Sequence, residues 1–314
     1  MKLRDFECII AVAEEKSISK AAAKIYVTQP SLSQTLAKIE NRVGAPLFVR
    51  TPGGLVITEA GDAFVKAGRR ILKTYSDLES ELYDLNNMKR GHLSFGITNY
   101  LGSYYLPSIL TAYNKLYPNI DVQLVEQTSL QLEKDLTQNL LDIAFLHGPV
   151  AMSNIRCECL ADERLLLAIP EGHPILAQSY CKPGELIPFI DFQLVNGQSI
   201  IMSKPSRRMR QLFSAMLEKA GVTPKSIVAS DSIETCARLC GANMGITLLP
   251  ESYIKQFHFS PQPIYRALEP EYNAQWQLVI AYNSEATLSR PAQEMCKVIH
   301  SYFRHGQPEQ PQTN

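Results

Sequence analysis

SISKAAAKIYVTQPSLSQTLAKIENRVGAPLFVRTPGGLVIT, residues Ser17 to Thr58, is the stretch on which the reading of this chain turns. Just before it, Leu3 to Glu15 set Phe6, Ile9, Ile10 and Ala13 at helical spacing with charges between them. Within it, Ser17 or Ser19 suits the cap of a short helix over 20–25, and the alanines at 21, 22 and 23 let a neighbouring helix approach closely. Thr28 is a good N-cap for a third helix. Pro30 sits in its first turn, where a missing N–H does no harm, and Gly44 ends it after about Val43.

On that third helix Leu32, Leu36, Ile39 and Val43 form one apolar stripe, and Ser31, Gln34, Thr35 and Lys38 fall on the opposite face. Alone, such a face is either a solvated surface or a reader of major-groove base edges, where Gln bonds adenine bidentately and Ser or Thr adapts. The short alanine-rich helix, tight turn and capped helix before it form a helix-turn-helix, which favours the second reading. Leu47 to Arg50 and Leu55 to Thr58 are short strands around Gly53 and Gly54, a wing. Arg50 is placed for a phosphate, and Lys2, Lys20, Lys24 and Arg42 for diffuse attraction; each is equally suited to be an exposed solubilising charge.

Charge supports this reading weakly. Residues 1–90 carry 14 Lys and Arg against 11 Asp and Glu, and the remainder 17 against 20, so a neutral chain hides a basic front end. At 314 residues, 45% apolar and 20% charged, the chain reads as globular with two or three domains. No apolar run reaches the roughly 18 residues of a membrane span, and Glu7, Glu14 and Glu15 interrupt the start, so neither anchor nor export is expected. Seven cysteines, at 8, 157, 159, 181, 236, 240 and 296, lack disulfide-framework or zinc spacing, which points to a reducing cytoplasm.

From Ala11 to Gly61 the chain resembles the N-terminal winged helix-turn-helix of LysR-type transcriptional regulators. The resemblance rests on an ordered set: the Ala pair of the second helix, Gln29-Pro30-Ser31-Leu32-Ser33, Ile39-Glu40, Gly44, Pro46-Leu47-Phe48-Val49-Arg50 and Thr58-Glu59-Ala60-Gly61. It implies that Gln29, Pro30, Ser31, Ser33 and Gln34, with Lys38 on the same helix, approach a groove of duplex DNA. It implies also that Arg50 and Thr51 lie near the backbone.

Thr58 caps a long helical stretch from Glu59 to about Asn87. In it Phe64, Ile71, Leu78 and Leu85 recur every seven residues, and Tyr75 and Leu82 follow four after Ile71 and Leu78. Such a seam suits a two-helix coiled coil or an amphipathic helix packed on its own domain. The polar break Lys89-Arg90-Gly91 favours pairing, which would present two recognition helices to a pseudo-palindromic operator. In the resembled family this helix links the DNA-binding part to the effector domain, and the assembly is a homodimer or, often, a homotetramer; contact with RNA polymerase is a further expectation.

Beyond His92, strands and helices alternate: LSFGIT, a helix in LPSILTAYNKLYP, DVQLVE, a helix capped by Thr128 or Ser129, DIAFLH, RLLLAIP, SIIMS, a helix over 206–220, SIVAS, a helix over 233–240, and GITLLP. That alternation predicts βαβ units on a mainly parallel sheet, in two tandem lobes with a cleft. QWQLVIAY and a helix from about 290 to 303 are expected to return to the first lobe. YLPSILTAYNKLYPNIDVQLVE, LLDIAF, EGHP and GANMGITLLPE resemble the LysR-type effector domain, which is similar to periplasmic binding proteins. The expected fold is thus α plus α/β: a DNA-binding domain at 1–58, a linker and dimerisation helix at 59–90, and a bilobed effector-binding domain at 91–303. Lobe I takes about 91–162 and 268–303, lobe II about 163–267, and 304–314 form a disordered tail.

Ligands in open α/β folds bind beyond the carboxyl ends of strands, facing helix N-termini. That rule selects Thr98, Asn99, Tyr100, Ser103, Ser129, His147, Ser203, Lys204 and Thr247, groups suited to an anion or small carboxylate, though each alone is as well explained by helix capping or loop satisfaction. Family members commonly carry Ser or Thr in place of Tyr100, which implies a smaller or more aromatic pocket here. No nucleophile elbow, phosphate-cradling Gly-rich loop or His-Glu-x-x-His motif is present, so neither catalysis nor a cofactor nor a metal is expected, and the alternative of a solute-binding or enzymatic α/β protein is disfavoured. Cys157 with Cys159, and Cys236 with Cys240, leave open a thiol-redox-sensing regulator, as in the peroxide-responsive branch of the family. Ordinary buried thiols are the default.

Overall fold

The computed structural model describes residues 1–51, 54–84, 91–205, 207–256 and 260–305. The chain divides into two compact units, essentially Met1–His92 and the chain from Leu93 onward, each with its own core.

In the first unit, α1 (Leu3–Glu15), α2 (Ile18–Lys24) and α3 (Gln29–Val43) precede the hairpin β1 (Phe48–Thr51) and β2 (Gly54–Ile57), and α4 (Glu59–Asp84) follows. The punctuation works as caps: Ser17 accepts from the Lys20 N–H, so α2 starts two residues earlier than expected, and Thr28 accepts from the Ser31 N–H. Gly44 closes α3 at φ 78°, a left-handed conformation that glycine adopts without penalty. Ala21 and Ala22 pack against Cys8, Ala11, Val12 and Leu32, while Leu36, Ile39 and Leu47 meet Ile9. Val43 departs from the expected stripe and is 41% exposed, because the helix ends there before reaching the core.

The family-like residues from Glu40 onward have structural tasks. Glu40 Oε1 accepts from the N–H groups of Leu47 (2.7 Å) and Phe48 (3.3 Å), tying α3 to the start of the wing. Thr58 Oγ1 donates to the Pro46 carbonyl at 2.7 Å and accepts from the Gly61 N–H at 3.0 Å. Gly61 is required by close approach, since a Cβ there would lie 2.1 Å from the Leu47 carbonyl oxygen. Phe64, expected at the head of the seam, instead stacks on Phe6 with ring centroids 5.4 Å apart and belongs to the core of this unit.

The second unit comprises β3 (Gly91–Ile97), α5 (Asn99–Leu116), β4 (Ile120–Glu126), α6 (Ser129–Thr137), β5 (Ile143–His147), β6 (Ile155–Ile169), β7 (Ser199–Ser203), α7 (Arg208–Ala220), β8 (Ser226–Ser230), α8 (Ile233–Gly241), β9 (Thr247–Pro250), α9 (Glu251–Gln256), β10 (Ile264–Arg266), β11 (Gln275–Asn283) and α10 (Arg290–His305). The main sheet runs β10-β6-β11-β5-β3-β4, with β9 also on β6, and β7 pairs with β8. β3 and β5 are parallel, as are β7 and β8, but β11 is antiparallel to β5 and β6, and β6 is antiparallel to β9 and β10.

The sheet is therefore mixed, which corrects the expected mainly parallel arrangement. β6 is also far longer than RLLLAIP: its first half pairs with β11 and its second half with β9 and β10. Its outer end, IRCECLADE, mixes charge and cysteine and lacks a buried strand's apolar run. Separate cores result, among them one around Leu132, Leu136, Leu146 and Val279 and another around Leu167, Ile200, Phe213 and Ile246, with β6 and β11 running through both lobes. α5 reaches back to Asn99 and so starts before the expected helix LPSILTAYNKLYP. On the far side Tyr113 donates to the Pro291 carbonyl at 3.0 Å and binds α5 to α10.

Candidate nucleic-acid interface and ligand cavity

The first unit presents a polar face. Gln29, Pro30, Ser31, Gln34 and Lys38 on α3 are exposed, and Ser33 is half-buried and accepts from the Gln29 amide at 2.9 Å. Arg50 and Thr51 are exposed on β1, and the Thr51 hydroxyl donates to the Gly54 carbonyl at 3.0 Å, bracing the hairpin. The intervening Pro52 and Gly53 lie outside the described residues. Lys24 ion-pairs with Glu14 at 2.9 Å and Glu15 at 3.0 Å, so that cation serves its own unit. Tyr26, in the turn before α3 and at φ 56°, is almost wholly exposed and was not selected from the sequence.

Along α4, Ile71, Tyr75 and Leu78 are 41%, 44% and 49% exposed, an apolar row at four- and three-residue spacing. Leu82 lies in the helix with its side chain outside the described residues, as Leu85 lies entirely.

The second unit contains a cavity of about 540 Å³, within the usual size of small-molecule sites. Thr98, Asn99, Tyr100, Ser103, Ser129, His147 and Ser203 all line it. Two expected residues do not. Thr247 is buried in the β6–β9 ladder opposite Ala168, and Lys204 points to Asp231, with Nζ to Oδ2 at 2.5 Å. Arg207, Arg208, Thr128, Asp231, Tyr253 and Trp276 join the wall without having been selected. The Arg207-Arg208 pair lies only a few residues beyond the end of β7, where the carboxyl-end rule pointed; Trp276 comes from β11, the QWQLVIAY strand expected to return to the first lobe.

Among the described residues two buried polar atoms on this wall, Thr98 Oγ1 and His147 Nε2, have no hydrogen-bond partner, and Arg207 Nε has only the ion-pair contact of 3.6 Å to Asp231. Such groups can bond to whatever polar group enters the cavity. Thr98 and Arg207 occupy the N-cap positions of α5 and α7, and neither side chain caps its helix, so both helices offer free N–H groups and positive dipole ends. His147 is held neutral, its pKa pushed down to about 3 by burial and, secondarily, by the Arg208 charge.

An aromatic stack orders the site. The His147 ring lies 3.7 Å from Trp276 and 5.8 Å from Tyr100, centroid to centroid. Behind it, buried Glu163 accepts from Trp276 Nε1 at 2.5 Å and from the hydroxyls of Tyr100 (3.4 Å) and Ser252, which also contact each other. Burial raises the Glu163 carboxyl pKa, an effect opposed by these donors. Burial, followed by the Glu163 charge, holds the Tyr100 hydroxyl protonated.

The thiols fall into a buried and an exposed set. Cys236 and Cys240 are buried on α8, pushed by burial up to about 11 and about 12, and Cys240 Sγ donates to the Ala168 carbonyl at 3.3 Å. Thiolate, the reactive form, is disfavoured at both. Cys157 and Cys159 are exposed on the outer half of β6.

Comparison with known proteins accords with this architecture. Residues 3–62 match the bacterial regulatory helix-turn-helix protein of the lysR family, and residues 86–304 match the LysR substrate binding domain. The HTH-type transcriptional regulator AlsR of Bacillus subtilis is 28% identical over 291 residues, covering 91% of each chain. The DNA-binding transcriptional dual regulator OxyR of Escherichia coli is 30% identical over 251 residues, 80% of this chain and 79% of that protein. A full-length OxyR variant from Pseudomonas aeruginosa superposes with TM-score 0.70 at 22% identity over 99% of both chains. CbnR solved with its target DNA gives TM-score 0.52 at 19% identity over 96% of this chain and 100% of that one. Among the described residues no helix is long and apolar enough to cross a membrane. Helix-turn-helix head and bilobed substrate-binding body together show that the chain belongs to the LysR family of transcriptional regulators.

Proposed function

We propose that the exposed face of α3 reads an operator through Gln29, Pro30, Ser31, Ser33, Gln34 and Lys38, with Arg50 and Thr51 on the DNA backbone. α4 pairs two chains through Ile71, Tyr75 and Leu78, so that two heads meet two half-sites. Homodimers or homotetramers act in the cytoplasm, with RNA polymerase as a further partner. The cavity takes a small anionic effector and carries out no chemistry on it, so the protein is a regulator and not an enzyme.

The observation that carries this reading is the cavity wall itself, where two uncapped helix starts meet Thr98 Oγ1 and His147 Nε2, which have no partner among the described residues. An effector shifts DNA binding only by binding two conformations with different affinity. A cleft between lobes that share the long strands β6 and β11 is suited to that, because closure changes how both walls meet the ligand. The test is selection of genomic fragments by the full-length protein, followed by footprinting with and without small carboxylates. Protection of two half-sites that changes with an acid, and no longer changes in Thr98→Val, is the expected result; DNA binding indifferent to every acid would remove the effector role.

A further inference from the structure

We propose that the cavity is sorted by charge to admit a compact monoanion whose far end carries one uncharged hydrogen-bonding group, a hydroxyl above all. This rests on the effector-cavity reading and narrows it to a ligand class.

The sorting follows from which charges on the wall are already engaged. Arg208 is held by Glu133 at 2.5 Å, and Glu133 is fully buried. Lys204 is held by Asp231 at 2.5 Å. Arg207 shares that carboxylate, its Nε 3.6 Å from Asp231 Oδ1. Two cations thus meet one carboxylate at the start of α7, and the positive charge left in excess is balanced by one ligand carboxylate. Asp231 and Glu234, on the same wall, repel any second negative charge brought close to it.

Around Thr98 and His147 the cation within reach, Arg208, is already paired with Glu133. Thr98 and His147 are 8% and 4% exposed, and both present an unpartnered atom. A second carboxylate would lose its water there against two neutral groups, an unfavourable exchange. A hydroxyl both donates and accepts, so it serves Thr98 Oγ1 and either tautomer of His147. Tyr100 and Trp276, anchored on Glu163, and Tyr253 add aromatic surface to the wall, which suits a ligand with an aromatic ring.

The test is calorimetric titration of the full-length protein, without DNA and at constant ionic strength, with benzoate, 4-hydroxybenzoate and terephthalate. These share one ring and differ only in the far substituent. Binding is expected in the order 4-hydroxybenzoate, benzoate, terephthalate, with terephthalate about tenfold weaker than benzoate or worse. Arg207→Gln should weaken both monoanions about tenfold or more. Asp231→Asn should narrow the penalty on terephthalate, and His147→Phe should erase the advantage of the hydroxyl. Terephthalate equal to 4-hydroxybenzoate, full affinity in Arg207→Gln, or no binding of any acid would overturn the proposal. A footprint measured in parallel separates the failures: intact operator protection with the wrong ligand order rejects the charge sorting alone, and absent protection rejects the regulator reading.

Discussion

Arg208, at the start of α7, holds Glu133 of α6 through a guanidinium-to-carboxylate contact of 2.5 Å, and so joins the two lobes beside the cavity. Glu133 Oε2 also accepts from the Ala151 N–H at 2.9 Å. Removing one partner of a buried pair strands the other, whereas replacing both by apolar groups often costs little. Glu133→Ala should therefore destabilise the protein by about 3 to 5 kcal/mol, and Glu133→Leu with Arg208→Met should recover most of that. Urea unfolding followed by the fluorescence of Trp276, the sole tryptophan, reads both variants.

His147 makes stability depend on pH. Its pKa is 6.5 ordinarily and about 3 in the fold, so below pH 6.5 the unfolded chain binds a proton that the native state refuses. The stabilisation is complete above pH 6.5 and is lost as pH falls toward 3, at up to about 1.4 kcal/mol per pH unit. Unfolding of wild type and His147→Phe at pH 7.5 and pH 5 should show a gap of about 2 kcal/mol in their pH dependence. Parallel profiles would place a charged imidazole in the native state.

On DNA, base reading and phosphate attraction separate by their salt response. Gln34→Ala should weaken the specific site by about 1 to 3 kcal/mol and leave binding to unrelated sequence unchanged. Arg50→Ala should weaken both and reduce the log–log salt slope by about 0.9. Fluorescence anisotropy at several salt concentrations distinguishes them.

The α4 row predicts an assembly defect. Ile71→Asp with Leu78→Asp places two charges in an apolar seam and should yield a monomer in light scattering, with loss of two-site DNA protection. An unchanged dimer would mean that these exposed residues serve another contact.

Legibility followed the range of the interactions. Ser17, Thr28 and Gly44 act within a few residues of themselves, as does Thr58 in accepting from the Gly61 N–H, and local pattern located them. The tasks of Glu40 and Gly61 depend on Leu47, a neighbour brought back by the turn, and only the folded contact explains them. In the second unit the carboxyl-end rule found Thr98, Ser129, His147 and Ser203. It favoured Lys204 over Arg207 because sequence does not show that Asp231, far along the chain, engages the lysine. Phe64 kept heptad spacing yet packs on Phe6, since one helix can serve a domain core at its start and an exposed row farther on.

The most direct measurement is a footprint of the full-length protein on DNA from its own upstream region, beside Gln34→Ala. The account predicts salt-sensitive protection of two half-sites separated by whole helical turns, lost in the variant. Specific protection that survives Gln34→Ala unchanged, or no specific protection by dimeric protein on that DNA or on selected genomic fragments, would contradict it.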